Sequence, residues 1–298
     1  MNHSYCGFIA IIGKSNVGKS TLLNSLVGNK ISITADRPQT TRHKILGIKT
    51  INNKQAIYID TPGITHNNHS KLNKLMNKAA KSSYKDADLI IFMVESLTWD
   101  LDDEAILENI IKLKRPVNTV LIFSKLDLVK DENLLLPKVQ QLNAKYPFTE
   151  VFPISVKNNF NLEKLEQKIF SFLPEAPHYF LDNHLTDKDL NFRIAEVIRE
   201  KLIKNLEQEL PYATHVEIVS ISQNQNLYRI HANIWVEKVG QKKIVIGKNG
   251  SKLKIIGTQA RIELEKLLKS KIFLNLFVQV KSNWTNNDFN LKNLNIII

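Results

Sequence analysis

A glycine-rich segment near the start of the chain has the composition of a phosphate-binding loop. It reads Gly-Lys-Ser-Asn-Val-Gly-Lys-Ser over residues 13–20, fits the pattern G-x-x-x-x-G-K-[ST], and lies between an apolar run and a helical pattern. In such a loop the backbone N–H groups converge on phosphate oxygens, a lysine reaches the outer phosphates, and a hydroxyl ligates Mg²⁺. The predicted phosphate-binding residues of this loop are Gly13, Asn16, Val17, Gly18, Lys19, Ser20 and Thr21.

A second tetrapeptide, Asp60-Thr61-Pro62-Gly63, ends a predicted strand 41 residues after Lys19. A carboxylate at this point suits the shell of a Mg²⁺ ion that also takes the Ser20 hydroxyl. The N–H of Gly63 can bond the γ-phosphate. We therefore predict that Ser20 and Asp60 bind the metal and that Gly63 joins the phosphate site.

Two further segments decide which base is read, because the phosphate loop alone is compatible with ATP or GTP. Guanine presents hydrogen-bond donors at N1 and at its 2-amino group, which the carboxylate of Asp127 can accept, whereas adenine presents an acceptor at N1. The stem of Lys125 can cover the base, and a backbone N–H in the segment 155–157 can reach guanine O6. The predicted guanine-binding residues are Ser124, Lys125, Asp127, Ser155, Val156 and Lys157. The order of these segments, all at strand ends after a phosphate loop, predicts GTP and GDP as ligands with Mg²⁺.

The elements that must position these residues form an α/β pattern from Tyr5 to about Leu173. Short apolar runs alternate with helical patterns, which predicts a mixed, mostly parallel sheet with flanking helices. The runs Ile45 to Lys49 and Ala56 to Ile59 predict a hairpin that adds an antiparallel edge. Two prolines at 174 and 177 end this region. The pattern that follows is helix, hairpin, two helices and strand, which predicts a smaller α+β domain.

The predicted organisation is a GTP-binding domain over 1–173, a linker over 174–187, an RNA-binding domain over 188–284 and a tail over 285–298. The second domain holds the sequence Gly247-Lys248-Asn249-Gly250 between a short apolar helix and a longer one. Glycines at both ends of such a loop let an RNA backbone approach the main chain, as in KH domains. Residues 241–298 also carry a net charge of +8 out of the +12 of the whole chain, which favours a polyanion as partner. The predicted RNA-binding residues are Lys242, Lys243, Ile246, Gly247, Lys248, Asn249, Gly250, Ser251 and Lys252.

Composition excludes several classes of protein. The chain has 298 residues, 43% of them apolar, so it can fill two cores and is not dominated by disorder. The single cysteine, Cys6, cannot form an internal disulfide, and the first residues lack a signal-peptide pattern, so we expect a cytoplasmic location. No apolar stretch is long enough to span a bilayer. A peripheral contact with the cytoplasmic face of the membrane stays open, because a lysine-rich helical pattern covers residues 70–85.

Several segments resemble the Era family within the translation-factor-like GTPases. Arg37-Pro38-Gln39-Thr40-Thr41-Arg42-His43 is similar to the family's switch loop, and similarity continues at Leu75 to Ala80, Glu209 to Tyr212 and Gly240 to Gly247, so it covers essentially the whole chain. The resemblance implies a P-loop GTPase domain followed by a type II KH domain. It implies hydrolysis of GTP, binding to the 3′ end of small-subunit ribosomal RNA, a role in 30S subunit assembly, possible contact with the inner membrane, and a monomer. The implied switch residues are Gln39, Thr40, Thr41, Arg42 and His43, with Thr40 or Thr41 approaching Mg²⁺.

Two positions depart from the family pattern. Ser124 replaces the base-recognising Asn, and a hydroxyl loses part of an amide's reach to guanine N7 and to the phosphate loop, so weaker nucleotide binding is expected. Ile64 stands where some GTPases place a water-orienting Gln, so the catalytic residue is unknown. We also expect Trp235, Trp284 and Phe273 to be core or tail anchors. The alternative functions are a GTP-liganded RNA chaperone without significant turnover, a membrane-associated P-loop GTPase and a P-loop kinase.

Overall fold

The computed structural model of the chain describes residues 3–37, 40–63 and 71–286. Its internal contacts divide the chain into two compact units. The first unit holds most of the chain before Lys188, and the second holds the chain from Lys188 onward together with the segment Ile33–Thr40. Each unit has its own sheet and its own hydrophobic core.

The first unit contains a six-stranded sheet in the order β2-β3-β1-β4-β5-β6. β2 is antiparallel to β3, and the other neighbours are parallel. The central strands are almost fully buried, as expected for a sheet covered on both faces. The strands are β1 (Tyr5–Ile12), β2 (Ile45–Ile51), β3 (Lys54–Asp60), β4 (Leu89–Glu95), β5 (Asn118–Ser124) and β6 (Glu150–Pro153).

Five helices accompany this sheet: α1 (Lys19–Val27), α2 (Lys71–Ser82), α3 (Leu101–Ile111), α4 (Leu135–Lys145) and α5 (Leu162–Ser171). Helix α3 begins at a capping box, in which the Asp100 side chain accepts the N–H of Asp103 and the Asp103 side chain accepts the N–H of Asp100. Helix α2 buries Met76 and Ala80 and exposes Lys74 and Lys78, so these two lysines lie on a solvated face. The mixed sheet and its helices confirm the predicted fold class.

The segment 174–187, predicted as a linker, is part of the first unit. Its backbone pairs with the start of β1 through the N–H of Ala176 and the carbonyl of Ser4, 3.0 Å apart. The fully buried Gln55 of β3 accepts the N–H groups of Tyr179 and Phe180, each at 3.0 Å. These contacts place the segment along the β1, β2 and β3 side of the sheet.

The second unit is a three-stranded sheet in the order β7-β8-β9 with three helices packed on one face. β8 is antiparallel to β7 and parallel to β9. The core side chains come from alternate positions of β8 and β9 and from one face of the helices. The elements are α6 (Leu190–Asn205), β7 (His215–Asn224), β8 (Leu227–Val236), α7 (Val239–Ile246), α8 (Ser251–Leu268) and β9 (Lys271–Val280). This α+β arrangement confirms the second predicted domain. None of the helices that the structure describes combines the length and apolar composition needed to cross a lipid bilayer.

Candidate functional site

The loop between β1 and α1 has the geometry of a phosphate cradle. Gly13 has φ +152°, and a Cβ added there would come within 2.4 Å of the Met93 carbonyl oxygen, so only glycine fits. Gly18 precedes α1 with φ 98°, and no described side chain caps that helix. The first N–H groups of α1 are therefore available to an anion. The structure thus brings residues 13–21 together around this loop, with Val17 buried and Thr21 exposed.

Lys19 spans this loop from the first turn of α1. Its Nζ donates to the carbonyl oxygens of Gly13 (3.0 Å) and Lys14 (2.7 Å), and the side chain is 5% exposed. Burial lowers the pKa of Lys19 to about 8, although the nearby charge of Asp60 opposes that shift. A buried ammonium that contacts two carbonyl oxygens and lies near one carboxylate is suited to binding phosphate oxygens.

Three hydroxyls and one carboxylate form a polar cluster behind the loop. The Ser20 hydroxyl lies 2.7 Å from Asp60 Oδ2 and 2.8 Å from Thr41 Oγ1, and the Ser32 hydroxyl donates to the same Oδ2 at 2.9 Å. Asp60 is fully buried, and its Oδ1 has no hydrogen-bond partner. Burial raises the pKa of Asp60 and outweighs the hydrogen bond from Ser20 and the charge of Lys19. An orphaned buried carboxylate oxygen among hydroxyls fits a hard cation such as Mg²⁺.

The two switch threonines, which the sequence left as alternatives for the metal site, have different surroundings in the structure. Thr41 lies at the polar cluster, 7% exposed, whereas the Thr40 hydroxyl donates to the Arg37 carbonyl at 2.7 Å. Arg42 is buried and His43 is partly buried. Gln39 and Ile64 lie outside the described residues. Sequence reasoning missed Ser32, because it belongs to no motif and is brought to Asp60 only by the fold.

Gly63 lies against the phosphate loop. A Cβ added to it would come within 2.6 Å of the Ser15 Cα, so the backbone of residue 63 passes directly beside the loop. Just before it, the Thr61 hydroxyl donates to the carbonyl of Ile11 in β1 at 3.2 Å. The predicted γ-phosphate contact is therefore close to the other phosphate-binding residues.

The two base-reading segments meet because β5 and β6 are parallel neighbours. The Ser155 hydroxyl, 2% exposed, donates to Asp127 Oδ1 at 2.6 Å. This hydrogen bond lowers the pKa of the exposed Asp127 carboxyl. The N–H of Leu126 also donates to the Ile154 carbonyl at 3.0 Å, and Val156 and Lys157 continue the same turn. The geometry presents an ionised, oriented carboxylate to a base.

The Ser124 side chain lies against the phosphate loop. Its hydroxyl donates to the Val17 carbonyl at 2.7 Å and lies 3.0 Å from the Val94 carbonyl, and the side chain is 3% exposed. The shorter side chain therefore keeps a direct hydrogen bond to the phosphate loop, because β5 ends close enough for a hydroxyl to reach it. Next to it, Lys125 forms an ion pair with Glu95 at 3.0 Å.

The glycine loop of the second unit lies between α7 and α8. Gly247 has φ +75°, a backbone conformation that residues with a Cβ rarely adopt, and a Cβ there would lie 2.7 Å from the Lys252 Cβ. Any other residue at this position would therefore strain the backbone and also clash with Lys252. Lys248 and Asn249 at its tip are exposed, as are Lys243 and Ser251, while Lys242, Ile246, Gly250 and Lys252 are partly exposed. A groove of about 380 Å³ adjoins the loop. Its walls are formed by Lys254 and by six residues that sequence reasoning missed: Leu253, Gly257, Thr258, Arg261, Leu274 and Leu276. The loop and the groove together offer cations, exposed main chain and an apolar floor.

The aromatic side chains of this unit divide into two groups. Trp235 and Trp284 are 4% and 0% exposed, which confirms that they are anchors. Phe273 is 48% exposed, so the expectation that it is an anchor was wrong. It faces solvent because it lies on the side of β9 that the helices do not cover.

Comparisons with known proteins find relatives of both units. A family profile described as "50S ribosome-binding GTPase" matches residues 8–125, and one described as "KH domain" matches residues 209–285. Proteins named GTPase Era from Marinobacter nauticus and from Yersinia pestis (strain Pestoides F) are 45% and 46% identical over 98% of this chain and over 95% and 96% of their own lengths.

Two solved structures of Era also match. One contains MgGDPNP and nucleotides 1506–1542 of 16S ribosomal RNA; it is 36% identical, covers 99% of this chain and 100% of its own, and has a TM-score of 0.94. The other, a single-residue variant of Aquifex aeolicus Era bound to GDP·AlF₄⁻, gives the same identity and coverage with a TM-score of 0.93. With this similarity over the full chain, and with both motif sets in place, the chain belongs to the Era family of GTPases.

Proposed function

We propose that this protein is a GTP-hydrolysing switch that binds the 3′ end of small-subunit ribosomal RNA and assists assembly of the 30S subunit. The observation that carries the proposal is the pairing of Asp127 with Ser155, which presents an ionised carboxylate at a strand end in a chain that also holds a KH-type glycine loop. A similar Era structure contains both MgGDPNP and a 16S ribosomal RNA segment. GTP is the substrate, and GDP and phosphate are the products.

The roles of the nucleotide-site residues follow from their geometry. Asp127 accepts the N1 and 2-amino donors of guanine, while the backbone after Ser155 approaches O6. The phosphates lie on the N–H groups of residues 13–21, with Lys19 on the outer phosphates and Gly63 beside the γ-phosphate. Mg²⁺, when bound, neutralises charge on the outer phosphates. Its protein ligands are drawn from Ser20, Thr41 and Asp60, of which Asp60 supplies an oxygen with no hydrogen-bond partner.

The RNA site is the glycine loop with its adjoining groove. Lys248 and Lys252 contact phosphates near Gly247, and bases lie on Leu274 and Leu276 in the groove. We place the protein in the cytoplasm. A contact with the inner membrane would be electrostatic, because α2 offers exposed lysines while its apolar side chains Met76 and Ala80 are buried.

Replacing Lys248 and Asn249 with Asp tests the RNA site. The variant puts two carboxylates where the RNA backbone passes and keeps both glycines, so affinity for the ribosomal RNA 3′ end should fall at least about tenfold near physiological ionic strength. The matched control is Lys164→Glu with Gln167→Glu on α5, which makes the same change in net charge on an exposed helix of the first unit. Wild-type RNA affinity in a folded loop variant, with unchanged GTP binding, would refute the RNA site.

Measuring GTP turnover with and without RNA separates a switch from a chaperone that only binds GTP. A switch should show multiple turnover that responds to RNA or to small subunits. Hydrolysis limited to a single turnover, and unaffected by either, would instead support a GTP-liganded chaperone. Binding to anionic vesicles in competition with RNA would support the membrane-associated alternative.

A further inference from the structure

Strand β9 presents two different surfaces, because its side chains alternate between the faces of the sheet. Leu274 and Leu276 pack against the core and line the groove beside the glycine loop. Phe273 and Phe277 lie on the opposite face and are 48% and 55% exposed. The two phenylalanines therefore belong to a surface that the groove does not include. We call the exposed part of this surface around the two phenylalanines the outer face; it is formed by Arg229, His231, Asn233, Lys271, Phe273, Asn275 and Phe277.

Two positively charged side chains, Arg229 and Lys271, and one histidine lie near the exposed ring of Phe273. Arg229 is its partner on β8, with the guanidinium carbon 5.7 Å from the ring centroid. The His231 ring lies 6.4 Å from it, centroid to centroid. Lys271 is exposed two residues earlier on the same face. A guanidinium above an aromatic ring is a favourable cation–π contact and keeps a positive charge beside the ring.

Carboxylates are scarce on this sheet. The sequences of β7, β8 and β9 contain one acidic residue, Glu217, and its carboxylate accepts hydrogen bonds from Trp235 (3.1 Å) and Asn233 (3.5 Å). The exposed charges around Phe273 are therefore positive, which is complementary to a polyanion.

The spacing of the aromatic side chains favours nucleic acid over a protein partner. Phe273 and Phe277 are separated by the polar Asn275 and lie about 13 Å apart along the strand. The core of a protein interface is contiguous and poor in charge, which this surface is not. Separate aromatic rings flanked by arginine and lysine on an open sheet are typical of surfaces that stack unpaired bases.

We propose that the outer face is a second RNA-binding surface, on which unpaired bases stack on Phe273 and Phe277 while Arg229 and Lys271 contact phosphates. The proposal rests on the RNA-binding function proposed above, and it extends the bound RNA beyond the glycine loop. An RNA that reaches both faces of β9 binds more tightly than one that fills the groove alone.

Fluorescence anisotropy with two RNA probes and the full chain tests this proposal. The long probe spans nucleotides 1506–1542 of 16S ribosomal RNA, and the short probe is its 3′ portion of about eight nucleotides, twice the number that a KH loop clamps. Phe273→Ala with Phe277→Ala should weaken binding of the long probe at least about tenfold and leave the short probe unchanged. Phe→Tyr at both positions should keep the affinity of the wild type, and Phe→Leu at both should not. Ultraviolet crosslinking should attach the long probe to Phe273 or Phe277, on the face of β9 opposite the groove.

The control is Leu134→Ala with Leu136→Ala, which removes two exposed apolar side chains from the first unit. Arg229→Gln with Lys271→Gln provides an independent variant, which should weaken long-probe binding and reduce its salt dependence. Long-probe affinity within twofold of wild type in both sets of variants overturns the proposal. So does concentration-dependent dimerisation of the wild type that the alanine variant abolishes, because the face then binds a second copy. If the Lys248 and Asn249 variant also keeps full affinity for both probes, the proposed RNA function itself fails, whereas failure of the outer-face variants alone leaves that function intact.

Discussion

The guanidinium of Arg199, on α6, donates a hydrogen bond to the main-chain carbonyl of Thr40. The same side chain binds both carboxylate oxygens of Glu196, at 2.6 and 2.7 Å, and is 2% exposed. One planar, rigid fork therefore holds the end of the segment Ile33–Thr40 within the second unit. Thr41, the next residue, has its hydroxyl at Ser20. Two consecutive residues of the switch loop therefore have different hydrogen-bond partners: the Thr40 carbonyl accepts from Arg199, and the Thr41 hydroxyl contacts Ser20.

Replacing Arg199 with Lys should loosen this segment. A compact ammonium can keep an ion pair with Glu196 but cannot reach Thr40 with the same geometry. Since a charged hydrogen bond contributes about 1.5–3 kcal/mol, amide hydrogen exchange over Ile33–Arg37 should become about tenfold faster or more. Lys204→Arg, on the same helix at an exposed position paired with Glu200, is the control. Unchanged exchange in the Arg199 variant would show that other contacts hold the segment.

Asp127→Asn should change the nucleotide that the protein prefers. A carboxylate has two oxygens that accept the N1 and 2-amino hydrogens of guanine, whereas an amide has one oxygen and one NH₂ group. The NH₂ group can donate to the 2-oxo group of xanthine, so affinity should shift from GTP to xanthosine triphosphate. Titration with both nucleotides measures the shift. Asp131→Asn, an exposed carboxylate a few residues later, serves as control and should not alter preference. Full GTP affinity in the Asp127 variant would remove this residue from the site.

Two substitutions of Ser124 should move GDP affinity in opposite directions. Ser124→Ala removes the donor to the Val17 carbonyl, and about 1 kcal/mol of lost hydrogen bonding corresponds to about fivefold weaker binding. Ser124→Asn adds a second donor and an acceptor, so binding should tighten by a similar factor. Calorimetry on the three proteins tests both. Weaker binding by the Asn variant would mean that the buried pocket around residue 124 fits only a small side chain.

The stability of the first unit should depend on pH through Asp103. Burial raises the pKa of Asp103 to about 6, although the Lys14 ammonium 3.2 Å away favours its charged form. The folded chain therefore binds a proton that the unfolded chain releases near its ordinary pKa of 3.8, and the free energy of unfolding falls as pH rises between these values. The contribution amounts to about 3 kcal/mol.

Denaturant unfolding of the wild type and of Asp103→Asn measures this effect. The stability of the wild type relative to the variant should decrease from about pH 4 to pH 6 and then become constant. Asp102→Asn is the neighbouring control on the same helix turn. If both variants change the profile equally, the dependence comes from the helix end and not from the buried carboxyl.

The roles of residues could be predicted from the sequence where they lie in one contiguous motif. They could not be predicted where the fold brings distant residues together. The phosphate loop is contiguous, so its role could be predicted from 13–20 alone. Thr41 could not be distinguished from Thr40, because their difference lies in which way the backbone turns at Ser20. Arg199 carries no motif, since its partner is a carbonyl 159 positions away in the chain. Phe273 was wrongly expected to be an anchor, because hydrophobicity does not show which face of a strand is covered.

The two surfaces of β9 both depend on the number of residues in the strand, which limits the sequence changes that the strand can accept. Within Phe273–Phe277, odd-numbered positions lie on the outer face and even-numbered positions line the groove, while Ile272 and Val278 are buried in the core, so side chains of the outer face can change without altering the groove. Insertion or deletion of a single residue within Lys271–Val280 is different, because it exchanges every side chain beyond that point between the two faces. Such a change would bury Phe277 and expose Val278 in one step. Related chains should therefore tolerate many replacements in this strand while keeping its length fixed.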